Sequence, residues 1–141
     1  MIRLANRYDN DKIMELLRKF CFNSKNPITN DPFNWSKTYT EQILATLYAG
    51  HGFVLIDDNQ TDILVAARTE SVWLQNVWQL QEVMLTANNK FVVARLIKEY
   101  VKIAKDMINK GEITQAIMAS YKDLGFERYG MVKLEQHWEI K

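Results

Sequence analysis

The apolar positions of the chain change period midway along it. Trp78, Leu80, Glu82 and Met84 alternate with Val77, Gln79, Gln81 and Val83, which predicts a strand with one face better buried than the other. The polar stretch Thr86-Ala87-Asn88-Asn89 follows. Val93, Leu96, Ile97, Tyr100, Ala104, Met107 and Ile108 then recur at steps of three and four, the buried face of a long amphipathic helix. Lys90, Arg95, Lys98, Glu99, Lys102 and Lys105 lie mostly off that face, as solvated positions do, and Asn109-Lys110-Gly111 supplies the stop. A helix that begins directly after a strand turns unpaired N–H groups and the positive end of its dipole toward the loop, a setting for an anion.

The remaining segments follow the same two periods. Ile2 to Ala5 predicts a short strand, and Asp9 or Asn10 caps a helix with Ile13, Leu16, Leu17 and Phe20 on one face. Phe22 to Trp35 holds both prolines, Pro27 and Pro32, and no periodicity, so it is expected as a loop. A second helix is expected from Thr38, with capping-box spacing to Glu41, a stripe of Ile43, Leu44, Leu47 and Tyr48, and Gly50 and Gly52 at its end. Phe53 to Ile56 and Ile63 to Glu70 form a hairpin about the turn Asp57 to Asp62. Thr114 to Met118 fits a strand beside the central one. It also fits a helix, since Ile113, Ala116, Ile117, Tyr121 and Leu124 keep helical spacing. Over Arg128 to Lys141, Val132, Leu134, Trp138 and Ile140 alternate with Lys133, Glu135, His137 and Glu139, which predicts a half-buried antiparallel strand. The order of elements gives an α+β fold, a mixed and mostly antiparallel sheet with helices on both faces.

At 141 residues and 48% hydrophobic content the chain suits one domain over 1–141. A net charge of +1 gives no general field for nucleic acid or an anionic membrane, and neither is expected as a partner. Cys21, the single cysteine, is expected as a buried small hydrophobe in a reducing setting. No apolar run reaches a membrane span and Met1-Ile2-Arg3-Leu4 has no signal-peptide pattern, so a cytoplasmic location is expected. His51, between two glycines, has no second ligand near it in sequence, and no metal is expected. Two aromatic groups carry alternative readings. Phe33 and Trp35 either pin their loop to the core or line an acceptor pocket. Trp35, Trp73 and Trp78 either pack on neighbouring strands or meet a protein partner or a second copy.

Strand, polar loop and long helix, with Tyr121-Lys122-Asp123-Leu124-Gly125-Phe126 beyond them and the Ile2-Arg3-Leu4-Ala5 opening before them, resemble the GNAT family of N-acetyltransferases. The resemblance implies a strand over Thr114 to Met118, splayed from the central one to admit acetyl-CoA, the family's cofactor. It also implies cofactor contacts at Val83 and Leu85 of the central strand and at Asn88, Asn89, Lys90, Phe91, Val92 and Val93, over which the family's R-G-x-G-x-G pyrophosphate loop falls. Glu82 is then the candidate base, acting through water, and Tyr121 the candidate acid for the leaving thiolate. The plain alternatives are a solvent-facing or lysine-paired Glu82 and a packing role for Tyr121.

The arginine and the three glycines of that loop are replaced here. Asn88 and Asn89 tolerate left-handed backbone, whereas Phe91, Val92 and Val93 do not, which predicts weak cofactor binding or none. The family's next helix shortens to Ser120 to Leu124 and lacks its opening Asn. Two functions follow. One is a non-catalytic structural or binding module, similar in outline to small degenerate GNAT-like proteins of tailed phages and placed in the host cytoplasm or the phage particle. The other is an acetyl-CoA-dependent N-acetyltransferase acting on a small amine or a protein amino group. An unrelated α+β interaction domain is the third reading.

Overall fold

A computed structural model describes residues 1–120 and 123–141. Among them five strands form one sheet in the spatial order β1 (Ile2–Leu4), β2 (Gly52–Asp57), β3 (Ile63–Glu70), β4 (Trp78–Leu85) and β5 (Gln115–Ile117). The first four are antiparallel neighbours, and β5 lies parallel to β4. The parallel pair needs a crossover, and the long helix α3 (Lys90–Asn109) provides it. Helices α1 (Asn10–Asn23) and α2 (Lys37–Thr46) cover the opposite face. The fold is therefore the expected α+β arrangement, and Thr114 to Met118 contains the expected strand.

Alternation along the strands divides the core in two. Val54, Ile56, Ile63 and Val65 join Ile13, Leu17, Leu44 and Leu47 beneath α1 and α2. Leu55, Leu64, Ala66 and Leu80 join Leu96, Tyr100 and Ala104 beneath α3. A bulge between Val65 and Ala66 pairs Val65 with Met84 but Ala66 with Glu82, leaving Val83 as an extra residue on β4. The even alternation expected from Trp78 through Met84 is broken there. Leu80 stays with the α3 core, while Met84 packs on the α1–α2 side.

Helix ends also depart from expectation. The cap of α2 is Ser36, whose hydroxyl accepts from the Tyr39 amide at 3.1 Å, in place of Thr38. Ile43, placed on the buried stripe by its spacing, is exposed. Gly52 is required by close approach: a Cβ there would strike the Ala66 carbonyl oxygen and the Leu47 side chain. Arg128 to Lys141 does not form a strand. A 3-10 turn spans Phe126–Tyr129, and Val132, Leu134, Trp138 and Ile140 beyond it stand exposed. A period-2 pattern makes a strand only when a neighbour offers a ladder and an apolar face, and the described sheet ends at β5.

Asp9 stands at the start of α1 but turns its carboxylate back toward β1. Arg3 holds it with two bonds of 2.7 and 2.8 Å, and the Asn6 amide donates to it at 3.0 Å. The guanidinium, opposed by burial and helped by the Asn6 amide, lowers the Asp9 carboxyl from its usual range to about 2. Because the folded value lies below the unfolded one, the pair's stabilisation is full above about pH 4 and is lost as pH falls toward 2. Arg3→Ala is expected to lower stability at pH 7 by about 1 kcal/mol, since the guanidinium is 40% exposed and solvent screens the pair. Urea unfolding at pH 7 and pH 3 checks this: the gap between variant and native protein must narrow at the lower pH.

Candidate functional site

The loop that leads into α3 is closed by a carboxylate from the neighbouring strand. Asp62, with no exposed surface, sits where the β2–β3 turn enters β3. It accepts from the Asn88 amide at 2.7 Å, the Asn89 amide at 2.8 Å and the Thr86 hydroxyl at 2.6 Å. Thr86 is fixed in turn, taking the Ile63 amide on its hydroxyl at 2.9 Å. Asn89 caps α3, its side-chain oxygen accepting from the Phe91 and Val92 amides at 3.0 and 3.3 Å, and the Val93 amide bonds to the Asn89 carbonyl. The amides at 88, 89, 91, 92 and 93 thus already have acceptors within the chain. The helix's preference for a negative group at its N-terminus is met by Asp62 and the Asn89 carbonyl oxygens.

A second feature lies where β4 and β5 part. Their pairing runs Gln79–Gln115, Leu80–Ala116 and Gln81–Ile117 and goes no further among the described residues. Tyr100, from α3, donates its buried hydroxyl to the Ile117 carbonyl at 2.7 Å, with the Leu80 carbonyl at 3.4 Å. Burial, aided by the charge of Glu82, pushes the Tyr100 phenol up. One residue on, the Glu82 carboxyl accepts from the Ala119 amide at a long 3.4 Å and so spans the opening. Glu82 is 8% exposed. Burial pushes it up to about 7 against the smaller pull of that amide. It is thus a buried carboxyl that exchanges a proton near neutral pH.

The other predicted residues are distributed as follows. Asn88, Asn89 and Lys90 stand at the mouth of α3. Phe91 is exposed in its first turn, with the Lys90 ammonium 5.2 Å from its ring centre. Val92 and Val93 turn inward and are buried, so no branched side chain fills the loop mouth. Val83 is the exposed bulge residue and Leu85 packs toward α3. Tyr121 lies outside the described residues. Trp35 packs edge-to-face on Phe22 and pins its loop, while Phe33 is exposed. Trp78 packs on the α3 core beneath the Arg68 guanidinium, 4.3 Å from its ring, and Trp73 stands open on the β3–β4 loop. Cys21 is half-buried, and burial pushes its thiol up. Among the described residues no group of three His, Cys, Asp or Glu side chains is arranged for a metal, and no helix is long and apolar enough to cross a membrane. The residues that sequence reasoning missed are Asp62 and Tyr100. Asp62 is indistinguishable in sequence from the turn acids beside it, and Tyr100 from any other core aromatic.

Five strands in this order, with α3 crossing from β4 to a parallel β5 and the β4–β5 ladder ending at Gln81 and Ile117 among the described residues, match the fold of the GNAT N-acetyltransferases. The whole chain superposes on 97% of a GNAT family acetyltransferase from Staphylococcus aureus with a TM-score of 0.62 and 13% identity. It superposes equally completely on 97% of the glucosamine-6-phosphate N-acetyltransferase of Arabidopsis thaliana, with a TM-score of 0.66 and 12% identity. The aminoglycoside 6'-N-acetyltransferase of Acinetobacter haemolyticus gives a TM-score of 0.62 and 12% identity over 97% of its chain. No protein-family model and no curated protein sequence matches the chain.

Acetyl-CoA, implied by that fold, would bring a pyrophosphate to amides that here hold Asp62 and Asn89, so the residues of the loop do not fit it. Glu82 meanwhile gives the opening a measurable signature. Its folded pKa is raised, so the cost of ionising it appears as pH rises through about 7. Glu82→Gln, which keeps an acceptor without the charge, is expected to unfold in urea about 2 kcal/mol later than the native protein at pH 8.5 and near it at pH 5. Lower stability of the variant at both values would contradict the assignment.

Proposed function

We propose that this chain is a GNAT-fold binding module whose cofactor loop has been closed from within and which works without acyl transfer. The observation that supports this best is Asp62: a buried carboxylate takes the amides at the mouth of α3 and repels a second anion there. A pyrophosphate on the Asn88 and Asn89 amides would have to displace two hydrogen bonds to a charged group, each worth about 1.5 to 3 kcal/mol, and leave Asp62 buried with the Thr86 hydroxyl as its remaining partner.

A second reading, an N-acetyltransferase for a small amine or a protein amino group, is favoured by Glu82. Its carboxyl, pushed up to about 7, would accept a proton from an ammonium group near neutral pH.

Calorimetric titration with acetyl-CoA separates the two. The native chain is expected to bind more weakly than about 1 mM, under roughly 4 kcal/mol. Asp62→Ala frees the amides but orphans them, and is expected to cost about 3 to 5 kcal/mol of stability. Asp62→Asn, which removes the charge and keeps the side chain's size, therefore runs beside it as a second loop variant, and measurable binding is expected in whichever stays folded. Binding by the native chain at tens of micromolar or tighter, about 6 kcal/mol, would sink the first reading. An amine screen with Glu82→Gln as control would then follow.

A further inference from the structure

Along α3, Phe91, Arg95, Lys98, Lys102 and Lys105 follow at steps of four, three, four and three, so they share one exposed stripe opposite the buried face. Its four cations extend over about 15 Å of helix. Among the described residues none of the four stands in an ion pair. Asp106 is taken by Lys110 at 2.9 Å, which leaves Glu99 as the acid beside the stripe. A groove of about 870 Å³ lies beside it, lined by Arg95, Lys98, Lys102 and Lys105 together with Glu99, Arg128 and Tyr129, and Phe91 stands outside that lining at the head of the stripe. The chain's net charge averages over this arrangement. Helix α3 carries Lys90, Arg95, Lys98, Lys102 and Lys105 against Glu99 and Asp106, so the remainder of the chain is net negative.

We propose that this stripe and the groove beside it bind single-stranded nucleic acid, with phosphates on Arg95, Lys98, Lys102, Lys105 and Arg128 and bases stacked on Tyr129 and, at the head of the stripe, Phe91. Unpaired cations in line supply the sequence-independent attraction of a phosphate backbone. An aromatic ring at the head of the line supplies a stacking platform that any base can use. An acidic protein segment would answer the charges but give Phe91, 66% exposed, nothing flat to cover it. Phe91 heads the stripe in the first turn of α3, but the cations at 95, 98, 102 and 105 lie beyond the loop that Asp62 closes and take no part in closing it, so this proposal and the reading of the cofactor loop fail separately.

Fluorescence anisotropy with a labelled oligothymidine of about twelve nucleotides tests it. The native protein is expected to bind at about 20 mM salt and to weaken with a log–log slope near −3.5 as salt rises to about 200 mM. Lys98→Ala with Lys102→Ala is expected to reduce the slope by about 1.4. Phe91→Ala should weaken binding by about five-fold or more with the slope unchanged. All three positions are exposed, and circular dichroism confirms that the variants keep their fold. The proposal is overturned by any of three results: no binding at the lowest salt, an unaltered slope in the double variant, or displacement of the oligonucleotide by polyglutamate or anionic vesicles at equal charge.

Discussion

The Asp62 carboxylate is the contact on which the site side of the molecule depends. It is buried at the entrance to β3, and its partners belong to the end of β4 and to the mouth of α3. The turn that carries it is held from behind, since Asp57 takes the Thr61 and Asp62 amides at 2.7 and 3.0 Å, and the Asn88 side chain reaches the Thr61 carbonyl. A hairpin turn and a strand–helix loop are thereby joined through charge-assisted bonds in a low-dielectric setting, where such bonds are short and stiff. In a GNAT-like frame this is also where an incoming anion would be received. One interaction therefore fixes the loop and occupies the amides at its mouth.

The bulge at Val83 and the parting of β4 from β5 are the second constraint. With one extra residue, β4 sends Leu80 and Leu85 toward α3 and Met84 toward α1 and α2, so both halves of the core use the same strand. Past Gln81 and Ile117 the ladder stops, and Tyr100 and Glu82 bridge the gap by side chain. A titratable carboxyl at an unpaired strand junction costs stability whenever it ionises. Its presence there is the feature that keeps an enzymatic reading alive beside the binding one.

Charge is arranged on a different scale again. The near-neutral total conceals a cationic line on α3 and a net acidic remainder, because the buried face of the helix takes the apolar positions and leaves the basic ones to a single exposed stripe. A chain average carries no information about such segregation, whereas a helical wheel does.

The sequence by itself determined the elements whose periods are long and regular. The apolar repeat of α3, the Phe53–Ile56 and Ile63–Glu70 hairpin and the α+β order follow from alternation and helical spacing, since burial of one face is a local, repeating demand. The resemblance to GNAT proteins carried the parallel β5, which spacing alone left open between strand and helix. Tertiary structure decided the rest. The tail from Val132 to Ile140 has a strand's pattern but no strand beside it among the described residues, and pairing is not a property of one segment. Asp62 is an ordinary turn acid until β4 and α3 bring their donors to it. Glu82 is an ordinary strand carboxylate until β5 and Tyr100 bury it. Contacts between residues distant in sequence fix solvation and hydrogen-bond partners, and those in turn fix whether a loop receives an anion or is already filled.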